Sequence, residues 1–201
     1  IVMSENKLIS NLLALSKAIE VPDALNKPSD NGVYRPLNLG SSIGIQVGKI
    51  NNWDGGTYQE FILGYDATLP IVYNPIKRNI DLFPLIIYLP KSKNPRWIYD
   101  AEEKEKDNGF DIIIRNHIDD SIKDALVDFA KVYPITTFGR IDFRIKSTDK
   151  LLSDDILSQE ITMKDLFFVE MNSMPTIEPE DSFEFARVNF KYCVNLHYGV
   201  E

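Results

Sequence analysis

The sequence predicts an α+β fold, and the order of its elements carries that prediction. An amphipathic helical stripe comes first, a series of short strand-like runs follows, a second helix interrupts them, and two more strands flank an insertion before a final helix. Residues 7–19 place Leu8, Ile9, Leu12, Leu13, Leu15 and Ile19 at helical spacing, and Val21-Pro22 stops the run. Strands are expected at 43–50, 58–63, 68–73, 82–89 and 112–115, separated by Gly, Pro and Asn turns. Residues 117–132 read as a helix with Ile118, Ile122, Ala125, Leu126 and Phe129 on one side, and 180–197 as the last helix. No internal repeat, low-complexity tract or coiled coil is present.

Two of the later strands carry the most chemistry. In Gly139-Arg140-Ile141-Asp142-Phe143-Arg144 the alternation of a strand puts Arg140, Asp142 and Arg144 on one face and Ile141 and Phe143 on the other. In Phe168-Val169-Glu170-Met171-Asn172-Ser173-Met174-Pro175 it sets Glu170 and Asn172 opposite Val169 and Met171. If the strands pair, Asp142, Glu170 and Asn172 converge. Two carboxylates and an amide oxygen suit magnesium, a hard ion that keeps waters and substrate phosphates in its shell. A strand face bearing salt-bridged charges is the plain alternative.

With three further stretches in matching order, the chain resembles the central and C-terminal parts of an ATP-grasp ligase, most closely the D-alanine–D-alanine ligase family. Ser4-Glu5-Asn6-Lys7-Leu8-Ile9-Ser10 resembles the family's linker helix, and Tyr34-Arg35-Pro36-Leu37-Asn38-Leu39-Gly40-Ser41-Ser42-Ile43-Gly44 its strand and phosphate-covering loop. Gln59-Glu60-Phe61-Ile62-Leu63-Gly64-Tyr65-Asp66 resembles the connection between the two ATP-grasp subdomains. The resemblance implies two α+β subdomains whose antiparallel sheets grip ATP: a linker helix and small subdomain over 1–64, and a C-terminal subdomain over 65–201.

It also implies roles. Lys7, Arg35, Ser41, Ser42 and Lys104 would contact the phosphates; Gln59, Glu60 and Ile62 would frame adenine; Asp66 would hold the ribose, one methylene shorter than the family's Glu. Asp142, Glu170 and Asn172 would bind two magnesium ions, or manganese in their place. Arg140, Ser41 and Lys104 would be catalytic. The implied reaction is ATP-dependent formation of an amide or peptide bond from amino acid or peptide substrates through an acyl phosphate. A kinase of the same fold, or a nucleotide-binding module with weakened catalysis, are the alternatives.

Departures from the family pattern concern substrates and extent. Lys104 is kept but Glu105 replaces a Tyr; Thr176 replaces a Gly; Glu178, Glu180 and Asp181 crowd the place of a Ser or Thr cluster, with Ser182 the nearest hydroxyl. Three acids repel a carboxylate, so a cationic second substrate is expected in place of D-alanine. Residues 146–164 insert an acidic stretch, expected as a covering flap, with Leu151, Leu152, Ile156 and Leu157 in a short helix. The family's N-terminal domain has no counterpart, and the junctions near 26–34 and 50–57 are short, so the chain reads as a fragment or processed form.

Composition narrows the partners. A net charge of −8 disfavours nonspecific binding to nucleic acid or anionic membrane, so a polyanionic nucleotide needs metal ions and local cations. The 201 residues, 44% hydrophobic, suffice for a sizeable core. One cysteine, Cys193, excludes an internal disulfide and fits a reducing compartment, so a cytoplasmic location is expected. His117, His197 and Cys193 have no metal-site spacing and read as structural, as do Trp53 and Trp97. The family's dimers imply a homodimer.

Overall fold

The computed structural model describes residues 6–37, 43–52, 54–100, 103, 109–115, 118–133, 138–146 and 161–172. In chain order the elements are α1 (Lys7–Ser16), β1 (Gly32–Pro36), β2 (Gln46–Val47), β3 (Gly56–Glu60), β4 (Gly64–Asn74), β5 (Asn79–Leu82), β6 (Leu85–Pro90), β7 (Phe110–Arg115), α2 (Asp120–Ala130), β8 (Phe138–Lys146) and β9 (Leu166–Asn172). The α+β class holds. A small sheet has the order β2-β1-β3; a large one has the order β7-β6-β4-β8-β9, with β5 also paired to β4. All these pairings are antiparallel.

One face of the large sheet is the core. Tyr65, Ala67, Leu69 and Ile71 of β4 alternate inward, as do Ile141, Phe143 and Ile145 of β8, and Ile122, Leu126, Phe129 and Ala130 of α2 cover them. Phe129 meets Phe168 edge to face at 5.1 Å. The opposite face carries Asp66 and Thr68 on β4, Arg140, Asp142 and Arg144 on β8, and Glu170 and Asn172 on β9. The polar face therefore rests on a dry, close-packed layer.

The β8–β9 pair is not regular. Asp142 lies opposite Glu170, yet the next residue, Phe143, lies opposite Phe168, so Val169 is an extra residue in a bulge. The bulge lets Phe168 and Met171, three positions apart, both enter the core. It also turns the carbonyl of Val169 toward β1, where Arg35 donates to it at 2.6 Å.

The small sheet is pinned by a buried tyrosine. The Tyr58 hydroxyl lies 2.9 Å from both the Ser29 and Gly48 carbonyls and 2.9 Å from the Ser29 amide, so three segments meet on one oxygen. Its ring lies against Gly32, where any Cβ would collide with it.

Several sequence expectations change. The 82–89 run is two strands: Pro84 lacks an N–H to continue a ladder, and the chain turns there so that β5 and β6 pair separately with β4. Of 43–50, only Gln46–Val47 pairs, on the exposed edge of the small sheet. The largest change is in α1. Its buried side is Lys7, Ser10, Asn11 and Ala14, whereas Leu8, Leu12 and Leu15 are each more than half exposed. The periodicity identified a helix but the interior it meets, along β9, is polar. The final helix expected at 180–197, the flap over 147–160 and the helical start at His117 lie outside the described residues.

The inverted helix gives a stability test. Ala14→Leu should cost about 1–3 kcal/mol through overpacking against the sheet, while Leu12→Gln should change stability by no more than about 0.5 kcal/mol. Urea unfolding of both variants measures this; a costly Leu12→Gln beside a silent Ala14→Leu would reverse the assignment of faces.

Candidate functional site

Three cations and two carboxylates meet on the polar face of the large sheet. Lys7 comes from the first turn of α1, which Asn6 caps by accepting from the amides of Leu8 and Ile9 at 3.1 and 3.2 Å. Arg35 comes from β1 of the small sheet, and Arg140 from β8. Lys7 Nζ lies 3.6 Å and Arg35 Nη2 3.3 Å from the same oxygen of Glu170. Glu170 thus joins helix, small sheet and large sheet at one atom.

Both cations are buried, and burial lowers the pKa of each; Glu170 opposes that shift at Lys7 and Arg35 alike. Arg35 Nε is buried and has no hydrogen-bond partner. A buried guanidinium with an unused donor fits an anion better than a closed structural ion pair does.

Asp142 is held from two sides. Arg140 donates to it through Nε at 2.8 Å and Nη2 at 3.1 Å, a two-pronged pair along one strand, and Thr68 Oγ1 donates to it at 2.6 Å. Asp142, chiefly, raises the pKa of Arg140 against the opposing effect of burial, so Arg140 keeps its charge. Thr68 escaped the sequence reading, although its place in β4 directly opposite Asp142 fixes the carboxylate's rotamer.

The register brings Asp142, Glu170 and Asn172 to one edge of the sheet, with Arg140 opposite Asn172. All three offer oxygen ligands, which fits magnesium. Among the described residues no group of three or more His, Cys, Asp or Glu side chains converges, so a metal here would rely on two carboxylates, an amide and the ligand's own oxygens.

Asp66 and its neighbours have other engagements. One Asp66 oxygen accepts from Arg144 Nη1 at 2.8 Å and the other from the Tyr99 amide at 2.7 Å. Arg144 also donates to the carbonyls of Ile62 and Pro95, both at 2.8 Å, and its guanidinium lies 4.8 Å from the Phe61 ring centre. Gln59 donates to the Pro22 carbonyl at 2.9 Å, and the Glu60 amide to the Asp23 carbonyl at 2.8 Å. Next to Asp66, Tyr88 and Tyr99 stack at 4.2 Å, with Phe110 against both and Trp97 beside Tyr99 and Phe110. Burial raises the pKa of Tyr88. Ser41, Ser42, Lys104, Glu105, Thr176, Glu178, Glu180, Asp181 and Ser182 lie outside the described residues.

No family model matches the chain, and no curated protein matches it. Solved structures do. D-alanine–D-alanine ligase from Bacillus anthracis complexed with ATP superposes with a TM-score of 0.54 at 13% identity, over 94% of this chain and 61% of that one. The ATP-grasp ligase PsnB complexed with minimal precursor gives 0.57 at 14%, over 96% and 60%. N5-carboxyaminoimidazole synthetase from Staphylococcus aureus complexed with ADP gives 0.56 at 11%, over 96% and 51%. The chain has the ATP-grasp fold. It spans between 51% and 61% of the length of these three structures. No helix among the described residues is long and apolar enough to cross a membrane.

Removing the shared carboxylate should expose its structural worth. Glu170→Gln should destabilise the ligand-free protein by about 2 kcal/mol, below the range of about 3–5 kcal/mol for a fully buried pair because Glu170 is 21% exposed. Denaturant unfolding of this variant, with Lys7→Met/Glu170→Gln beside it, checks the point: the second substitution should restore part of the loss, and a further loss would contradict the pairing.

Proposed function

We propose that this chain is the nucleotide-binding and catalytic part of an ATP-dependent carboxylate–amine ligase, similar to D-alanine–D-alanine ligases but with other substrates, which makes an amide or peptide bond through an acyl phosphate. The observation that carries this reading is the convergence of Lys7, Arg35 and Arg140 with Asp142 and Glu170 on one sheet face of an ATP-grasp fold. Cations from three elements around two carboxylates suit a metal triphosphate, and the unused Arg35 Nε adds a donor for phosphate oxygen.

Asp142, Glu170 and Asn172 would hold the magnesium ions, whose chemistry there is to neutralise phosphate charge and bridge phosphate oxygens. Thr68 orients Asp142. Lys7 and Arg35 bind phosphate oxygens, with Ser41, Ser42 and Lys104 joining from the segments that the family resemblance assigns to the phosphates. The γ-phosphoryl group passes to the substrate carboxylate and ADP leaves. The amine then attacks the acyl carbon, Arg140 stabilises charge on the carbonyl oxygen, and phosphate departs with the electron pair of the broken carbon–oxygen bond. No side-chain nucleophile takes part. Asp66, Gln59, Glu60 and Ile62 frame the adenosine side on this reading, and a cationic acceptor suits the acids at Glu178, Glu180 and Asp181.

A screen of amino acids, singly and in pairs, for magnesium- and ATP-dependent ADP release tests the reaction. Release that needs both a carboxylate and an amine is the expected result; release with a carboxylate alone would make the protein a kinase. In the active pair, Asp142→Asn or Arg140→Ala should each lower turnover on the order of 10²-fold or more. Normal turnover in either variant would sink the assignment.

A further inference from the structure

Asp66 occupies the position that the resemblance gives to ribose recognition, yet its carboxylate is committed elsewhere. The 2.8 Å bond from Arg144 and the 2.7 Å bond from the Tyr99 amide take one oxygen each. Arg144, for its part, is buried and fixed to three segments at once: the connection at Ile62, the strand at Asp66 and the turn at Pro95. The Pro95 carbonyl also accepts from the Gly64 amide at 2.8 Å, so the turn is tied at the very start of β4.

We propose that this chain does not read the sugar of its nucleotide: Asp66 is a positioning residue that, with Arg144, clasps the turn over residues 95–99 and sets Tyr99 on Tyr88, and the nucleotide's 2′ and 3′ hydroxyls go unrecognised by it. This rests on the nucleotide site proposed above. The energetic argument is one of unequal exchange. Turning the carboxylate toward a ribose would gain a hydrogen bond to a neutral hydroxyl, while leaving a buried guanidinium without its counter-charge and the Tyr99 amide without its acceptor. The clasp wins that comparison. Its length agrees, because an Asp reaches its neighbours on β8 directly across the ladder, where Asp66 and Arg144 are paired residues, but reaches less far out from the sheet than a Glu.

The aromatic group shows what the clasp positions. Tyr88 sits opposite Asp66 on β6, Tyr99 stacks on it with an interplanar angle of 15°, and Phe110 closes their edges. Only a fixed turn can hold Tyr99 there, because residues 91–98 contain no strand or helix to do so.

Calorimetric titration of the wild-type chain with ATP, 2′-deoxy-ATP and 3′-deoxy-ATP, each with magnesium, tests this directly. All three should bind within about twofold of one another, whereas a carboxylate that reads a hydroxyl loses about tenfold or more when that hydroxyl is removed. A deoxy penalty of tenfold that disappears in Asp66→Asn would overturn the proposal and leave the nucleotide site standing. Binding of none of the three would overturn both. In Asp66→Asn the positioning role should appear as altered Trp97 emission and faster proteolysis within residues 91–99, with the ATP to deoxy-ATP ratio still near one; an unaltered turn would also count against the clasp. If that variant does not fold, the wild-type ratios decide alone.

Discussion

One carboxylate organises this site. Glu170 receives Lys7 from α1 and Arg35 from β1 while standing on β9, so three elements from different parts of the chain are held by a single negative charge. Neither cation has water enough to be stable by itself, since burial works against the charged form of both. The small sheet can therefore settle on the large one only where Glu170 is within reach. The bulge at Val169 completes the arrangement, because it keeps Phe168 and Met171 in the core, leaves Glu170 on the outer face, and gives Arg35 a carbonyl as its second partner.

On the proposed reading this is also how a chain of net charge −8 accepts a triphosphate. Without ligand the carboxylates neutralise the cations: Arg140 lies on Asp142, and Lys7 and Arg35 lie on Glu170. Bound metal and nucleotide would exchange those partners, with the carboxylates turning to the metal and the cations to phosphate oxygens. Nothing unpaired and charged needs to be buried at any stage. The dry layer of Ile141, Phe143 and Leu69 beneath keeps the side chains in place during such an exchange.

How much of this was legible follows from how local each signal is. Alternation in 139–145 is a property of one strand, so the sequence showed which of Arg140, Ile141, Asp142 and Phe143 face outward. The opposition of Asp142 and Glu170 was legible only as a conditional, and the bulge that sets it was not, since an extra residue leaves no mark in an alternating pattern. Helix α1 shows the limit of periodicity. Leu8, Leu12 and Leu15 announce a helix, but which side is buried depends on what Lys7 and Asn11 meet, and that is decided by Glu170 more than 150 positions away. Arg144 and Thr68 were misjudged or missed for the same reason: a charged residue in a strand next to Arg140 looked like more of the same face, and Thr68 looked like an ordinary strand residue, until pairing set them against Asp66 and Asp142.

The exchange of partners makes a quantitative demand on binding. Calorimetric titration of ATP into the protein with and without magnesium, and of magnesium with and without ATP, measures the coupling between them. The account predicts that each ligand binds weakly alone, because it must displace cations from carboxylates or carboxylates from cations, and that each tightens the other by the same factor of tenfold or more. Equal affinity for ATP in the presence and absence of magnesium, or no ATP binding under either condition, would contradict it.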